Sequence, residues 1–328
     1  DQMQLDPVEL LHALAGEAVR RGATIVEEAR VHRVRGAQPT RVETGSGAVT
    51  ADVVVVATNL PVLDRGGHFA RLKPARSYGL AYRGWDAALE GMYLSADSPT
   101  RSLRDALVKG DRLLLVGGEG HTTGRDPSPR RRLEALRSWT AEYFPGLEET
   151  HAWSAQDYLP AHELPLVGPV LPDSEHLLMA GGYAKWGLTN SVAASLALAS
   201  RLLGGRTDWA EAMTGWSRHE LAGLPHAALY NAEVGLEMTR GWLAPLTRVG
   251  RTPEEGEGLV RTEGLGTPVA VSRVGGTERR VSAVCTHLGG IVRWNDAEAS
   301  WDCPLHGSRF DPEGEVLEGP ATCGLSRR

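Results

Sequence analysis

The residues best suited to chemistry lie in the last quarter of the 328-residue chain, where Cys285-Thr286-His287 is followed, after fifteen intervening residues, by Cys303-Pro304-Leu305-His306. Each short stretch delivers one thiolate and one imidazole, a donor set that suits zinc or iron. Two arrangements satisfy it. One is a single zinc ion held by all four side chains; the other is a two-iron cluster with the cysteines on one iron and the histidines on the other. Zinc motifs usually pair cysteine with cysteine and histidine with histidine, whereas each loop here mixes the two, which favours iron. Cys323 stands outside the pattern and reads as a small, partly buried residue near the terminus. Three cysteines in all cannot build a disulfide framework.

The flanking residues extend the signal. CTHLGG and CPLHGSRFDPEG resemble the two cluster-binding loops of Rieske [2Fe–2S] proteins well beyond the four ligands. The resemblance implies that Cys285, His287, Cys303 and His306 hold the cluster, and that the fold around them is a small all-β domain. Two departures matter. Many high-potential Rieske proteins carry a further cysteine in each loop, joined as a disulfide, and Gly290 and Leu305 stand at those positions here. Phe310 occupies the place where a tyrosine hydroxyl often approaches a ligand sulfur, while Ser308 keeps its hydroxyl. Fewer donors to sulfur predict a reduction potential in the lower part of the Rieske range.

Upstream, no G-x-G-x-x-G follows a strand; Gly118-Glu119-Gly120 with Gly124 comes nearest and reads as a glycine-rich turn at a sheet edge. Five segments, GATIVEEARV, DVVVVATN, GGEGHTTG, WSAQDYLPAHELPLVGP and HLLMAGGYAKWGLTNSVAASLALASRLL, nevertheless resemble, in order, the later portion of FAD-dependent oxidoreductases of the D-amino-acid oxidase and glycine oxidase type. The resemblance implies flavin contacts at Val31, at Ala57, Thr58 and Asn59, and at Gly182, Trp186, Gly187, Leu188 and Thr189. The last group enters a helix whose free N–H groups and dipole could stabilise negative charge on a reduced flavin ring; the same residues would also make an ordinary helix start. His121, Asp157 and Lys185 are weak catalytic candidates, because a flavin that takes hydride needs a protein mainly to bind and orient substrate. Arg76, Tyr78 and Arg83 could grip a substrate carboxylate.

The elements that would position these residues follow from periodicity. Leu5, Val8, Leu11, Ala15 and Val19 recur at helical spacing, residues 23–27 and 53–57 read as strands, and 31–35 with 40–44 as a hairpin. Residues 77–116 read as antiparallel strands, 129–143 and 188–203 as helices, 151–156 and 176–180 as strands, and 205–250 as a connector with little pattern. The expected fold class is therefore α/β, a partial FAD-binding Rossmann-like domain over 1–205 with an antiparallel substrate subdomain at about 61–157, then a connector (206–245) and an all-β Rieske domain (246–328). A start at Asp1, already close to a helix, predicts an N-terminally truncated flavin fold, and with part of the cradle missing residues 1–328 alone are expected to be inactive and not to retain FAD.

Composition bounds the rest. A 41% hydrophobic fraction and a net charge of −6 fit a globular chain without a basic face, so nucleic acid is excluded as a partner. No run approaches the roughly 18 apolar residues of a membrane span, and the first residues lack a signal-peptide pattern, so the expected location is cytoplasmic. The expected function is an FAD-dependent oxidoreductase, a dehydrogenase more than an oxidase, acting on an amine or amino acid and passing electrons singly through the cluster to an external one-electron acceptor. The alternative is a Rieske electron-transfer protein on a flavoprotein-like scaffold that does no catalysis.

Overall fold

The computed structural model describes residues 3–36, 38–205, 207–244, 251–263 and 267–328. The boundary expected near 245 lies outside the described residues. Helix α1 (Pro7–Arg20) starts where the Asp6 carboxylate accepts N–H groups of Val8 and Glu9, with Pro7 at the first helical position. None of its residues is buried. Residues 23–27, expected as a strand, pair with no strand among the described residues, and Ile25 and Val26 face solvent. Strands β1 (Val31–Arg35) and β2 (Thr40–Thr44) form the expected hairpin, and β3 (Gly47–Ala51) extends it. Sequence reading missed β3 because its small residues carry no alternating apolar pattern. Strand β4 (Val54–Asn59) closes this stretch.

A 3₁₀ turn at Arg65–Arg71 leads into β5 (Leu72–Arg83), and β6 (Tyr93–Leu94), β7 (Arg101–Val108), β8 (Asp111–Thr122), helix α2 (Pro129–Tyr143) and β9 (Glu148–Pro160) follow. The five strands form an antiparallel sheet in the order β6-β7-β8-β5-β9. Central β5 pairs with β9 from Leu72 opposite Pro160 to Arg83 opposite Glu148. Helix α2 lays Leu136 against Tyr78, Leu80, Tyr82, Leu114 and Val116 on one face of that sheet. Strand β10 (Leu166–Pro169) runs antiparallel to β11 (Leu177–Gly181), which runs parallel to β4. Helix α3 (Gly187–Leu202) covers them through Ala194, Ala197 and Leu198.

The stretch expected as a patternless connector contains a 24-residue helix, α4 (Glu220–Leu243). Its buried residues are Gly223, Tyr230 and Gly241, so its contact face is drawn in glycine and hides from a search for aliphatic periodicity. The glycines are close approaches: a Cβ on Gly223 would stand 3.0 Å from His162, and one on Gly241 3.1 Å from Ile291. The remainder is all β. Strands β12 (Gly258–Glu263), β13 (Thr267–Val274) and β14 (Thr277–Ser282) make one antiparallel sheet, and β15 (Arg293–Asn295), β16 (Ser300–Asp302), β17 (Arg309–Phe310) and β18 (Val316–Glu318) make another. Trp301, Phe310, Leu305 and Ile291 fill the core between them, beside Cys285 and Cys303. No described helix is long and apolar enough to cross a membrane.

Candidate metal centre and flavin cradle

The two loops that carry the candidate metal ligands meet in the C-terminal all-β part. Each is a tight turn closed by its own cysteine: the Gly289 N–H donates to the Cys285 carbonyl (3.0 Å) and the Gly307 N–H to the Cys303 carbonyl (3.2 Å). Both thiols are buried and face one another. A Cβ on Gly290 would stand 2.6 Å from the Leu305 side chain and 3.0 Å from the Cys303 sulfur, so the two positions where related proteins hold a disulfide pack directly against each other here. The His287 and His306 rings stand edge to face, 5.1 Å between centroids.

The electrostatics suit a metal. A hydrogen bond from Cys303 pulls the Cys285 thiol below its ordinary value, helped by the N–H groups of His287 and Leu288 and by the Ser308 hydroxyl. Cys303 is pushed well up by the neighbouring Cys285 sulfur and by burial, although the N–H groups of Leu305 and His306 point at it. Two anionic sulfurs this close need a cation between them. Burial, His287 and Arg125 push His306 down to about 3, so its imidazole is neutral, the form that donates a lone pair to metal. Its Nδ1 is buried without a hydrogen-bond partner among the described residues. Both sulfurs and this orphaned nitrogen fit a metal cluster.

The pair of histidines is covered by the first part of the chain. His306 is 3% exposed and the His287 imidazole 4%. Phe69, from the 3₁₀ turn, places its ring edge-on to both, at 5.1 and 4.9 Å. Asp64 Oδ1 lies 2.8 Å from His287 Nε2. The Tyr230 hydroxyl of α4 donates to the Leu305 carbonyl (2.6 Å), and Arg125 Nε to the Pro304 carbonyl (2.9 Å). Close packing needs glycine on both sides: a Cβ on Gly124 would stand 2.8 Å from the Cys303 carbonyl carbon, and one on Gly307, at φ +80°, 2.6 Å from Pro74. Arg76, read from sequence as a possible grip for a substrate carboxylate, belongs to this contact instead. It is 2% exposed, donates twice to Glu298 (both 2.7 Å) and reaches Glu318 at 3.3 Å. Arg83 stays at the surface, 4.0 Å from Asp111.

A second group of candidates gathers where parallel β4 and β11 end. Asn59, at φ +60°, accepts the Gly182 N–H on both its carbonyl (3.0 Å) and its Oδ1 (2.9 Å), and donates from Nδ2 to Asp157 Oδ1 (2.8 Å). Asp157 also accepts the Lys185 N–H. A Cβ on Gly181 would lie 1.7 Å from the Asn59 carbonyl oxygen, so the two strand ends meet backbone to backbone. Helix α3 begins six residues after β11 with no side chain capping its free N–H groups. The carboxyl ends of parallel strands beside an open helix N-terminus suit the anionic part of a dinucleotide, so the residues present fit FAD.

The structure thus brings Asn59, Asp157, Gly182 and Lys185 together, with Ala57 and Thr58 in the last residues of β4 and Trp186, Gly187, Leu188 and Thr189 entering α3. Trp186 and Leu188 are open to solvent, at 60% and 47%. Val31 lies apart, on β1, packed at the edge of the core beneath β4 and β11. His121 also lies apart. It stands opposite Arg76 on β8, its ring beside Tyr78 (3.3 Å to the hydroxyl), and burial pushes its pKa down.

Comparison with known proteins agrees with both halves. The FAD dependent oxidoreductase family matches residues 1–201, and the Rieske [2Fe-2S] domain matches residues 245–326. The chain belongs to the FAD dependent oxidoreductases and carries a C-terminal Rieske domain; its cofactors are FAD and a [2Fe–2S] cluster. It is 35% identical over 324 residues to YhfW of Bacillus subtilis, described as a Rieske 2Fe-2S iron-sulfur protein, covering 98% of this chain and 64% of that protein. It thus spans less than two thirds of that relative's length. Over 50 residues, 15% of the chain, it is 50% identical to cytochrome b6-f complex iron-sulfur subunit 1 of a Nostoc species, covering 28% of that protein. Glycine oxidase from Geobacillus kaustophilus shares the fold with a TM-score of 0.53 at 21% identity, over 61% of this chain and 54% of its own. NikD, an amino acid oxidase of nikkomycin biosynthesis, does so at 0.53 and 18%, over 64% and 60%.

Proposed function

We propose that this protein oxidises an amine or amino acid on FAD and sends the electrons, one at a time, through the Rieske cluster to an external one-electron acceptor. In this reading residues 1–205 are the flavin part, 206–245 the connector and 246–328 the iron–sulfur part. Cys285 and Cys303 hold one iron, His287 and His306 the other. Bound flavin supplies hydride acceptance from the carbon beside the amine, and the cluster supplies storage of a single electron. The chain's own residues do the rest. Asn59, Asp157 and Gly182 lock the two βα turns together, and the backbone of Gly187, Leu188 and Thr189 offers N–H groups toward the negative edge of the ring. Ala57 and Thr58 shape the dinucleotide turn, Val31 meets the adenine end, and the exposed Trp186 and Lys185 border the substrate side.

The observation that carries this reading is the enclosure of the cluster histidines by Phe69 and Asp64 of the flavin part. A redox centre sealed against its own flavoprotein is placed to receive electrons from it. The fold shared with glycine oxidase and NikD supports an amine or amino acid as substrate. A dehydrogenase is favoured over an oxidase because the cluster gives reduced flavin an outlet other than oxygen.

The test is a screen of amino acids and amines with the cofactor-loaded protein, following a one-electron dye and hydrogen peroxide together. Dye reduction well above peroxide release, lost in Cys285→Ser, is the expected result. Peroxide formed at full turnover and unaffected by Cys285→Ser would leave the cluster without a role, and no turnover with any amine would favour an electron-transfer protein on a flavin scaffold.

A further inference from the structure

Strand β9 lies between the two cofactor regions, and its alternation assigns one face to each. Side chains of successive strand residues point to opposite faces. On one face Ser154 lies beside Glu298, Gln156 donates from Nε2 to the Gly307 carbonyl (2.9 Å), and the Tyr158 hydroxyl donates to the Gly319 carbonyl (3.2 Å). All three partners belong to the iron–sulfur part. On the opposite face Asp157 holds Asn59 and the Lys185 N–H, residues of the two flavin turns. The neighbouring strands agree. Arg76, which pairs with Gln156 across β5, turns to Glu298 and Glu318; Ala75, which pairs with Asp157, stands opposite Thr122. A Cβ on Gly120 of β8 would meet the Lys185 ammonium at 3.1 Å.

Two consecutive residues therefore touch the two sites. From the Lys185 N–H the connection runs through the Asp157 carboxylate, one peptide bond to Gln156, its side-chain amide, the Gly307 carbonyl and one peptide bond to His306. Every gap along it is a hydrogen bond. The Gln156 amide is fixed in orientation, because its Oε1 accepts the Thr123 hydroxyl (2.7 Å) while Nε2 also lies 2.8 Å from the Tyr158 hydroxyl oxygen. Gly307 allows the approach: a Cβ there would stand 3.0 Å from Gln156 Nε2.

We infer that Gln156 is the coupling residue through which electrons cross from the flavin side of β9 to the cluster ligand loop. The inference rests on the flavin-to-cluster transfer proposed above and adds where it crosses. Each crossing takes one electron from reduced flavin and turns one ferric iron ferrous. A flavin carrying two electrons is discharged in two crossings, its proton leaving to solvent and the external acceptor emptying the cluster between them.

The experiment is anaerobic flash photoreduction of the flavin with deazariboflavin in the cofactor-loaded protein, following flavin and cluster absorbance separately. The reduced cluster's EPR spectrum and midpoint potential are recorded on the same samples. Gln156→Met and Gln156→Leu each remove the N–H donor to Gly307 without adding a charge beside the ligand loop. Both are expected to slow cluster reduction several-fold with flavin photoreduction, EPR spectrum and potential unchanged, whereas Ser154→Ala, on the same face of the strand, transfers at the wild-type rate. Unchanged transfer in both Gln156 variants overturns the inference. So does an equal slowing in Ser154→Ala, or a slowing explained by a shifted potential or an altered EPR spectrum, since those mark a merely structural contact. A wild-type protein whose reduced flavin never reduces the cluster instead defeats the proposed function itself.

Discussion

At the scale of single residues, the chemistry of the cluster pocket comes from what points at sulfur. Ser308 is buried, accepts the Ala321 N–H at 3.0 Å and brings its hydroxyl to Cys285, while Phe310 is fully buried and has no hydroxyl to give. Ser308→Ala removes one of the few donors, so redox titration should show a more negative midpoint, on the order of tens of millivolts where about 59 mV is a tenfold change for one electron. Arg76 sets a second expectation. Burial alone would raise Glu298, but the hydrogen bonds from Arg76 and the charges of Arg309 and Arg76 hold it at about 2. A carboxylate depressed below its unfolded value of about 4.3 stabilises the fold fully above that pH and loses the contribution as pH falls toward 2. Acid unfolding should therefore begin at higher pH in Arg76→Met, and urea unfolding at neutral pH should show a loss of about 1–3 kcal/mol, because Glu298 loses its two hydrogen bonds from Arg76 and shares with Glu318 only the Arg309 guanidinium. Equal stability across that pH range would show that the contact carries no linkage. The four Cys and His residues were legible in sequence because their spacing is local. The role of Arg76 was not, since its partners lie 222 and 242 residues away.

At the scale of elements, local pattern and tertiary context divide the fold between them. Helix α2 has a proline start and an amphipathic face against the sheet, and the sequence reading of 129–143 agrees with Pro129–Tyr143. Helix α4 escaped because two of its three buried residues are glycines seated against His162 and Ile291, a signal that only the folded neighbours explain. Residues 23–27 show the converse, a strand-like run that pairs with nothing among the described residues. The same backbone-close packing joins the ligand loop to β5. Gly307→Ala puts a methyl 2.6 Å from Pro74 at a left-handed backbone angle, and thermal unfolding should register a loss of about 1–3 kcal/mol together with reduced iron retention. Gly275→Ala, at a similar angle but with nothing within 4 Å, separates the two contributions: it should cost only the backbone strain and keep its iron.

At the scale of the whole molecule, the iron–sulfur part is held by its ligand loops. Phe69, Asp64, Arg125, Gln156 and Tyr230 all meet residues 287–307, so the two candidate histidine ligands face the earlier part of the chain. Leu288, next to His287, is 43% exposed, whereas both imidazoles are covered. The proposed function makes the flavin part the cluster's nearest redox neighbour, and one measurement asks whether it acts as one. The loaded protein is titrated anaerobically with an amine or amino acid that bleaches its flavin, and samples frozen along the titration are read by low-temperature EPR. The account predicts that the signal of a reduced Rieske cluster grows as the flavin bleaches and disappears in Cys285→Ser. Flavin that bleaches fully while the cluster stays oxidised, although dithionite reduces it in the same sample, would contradict it.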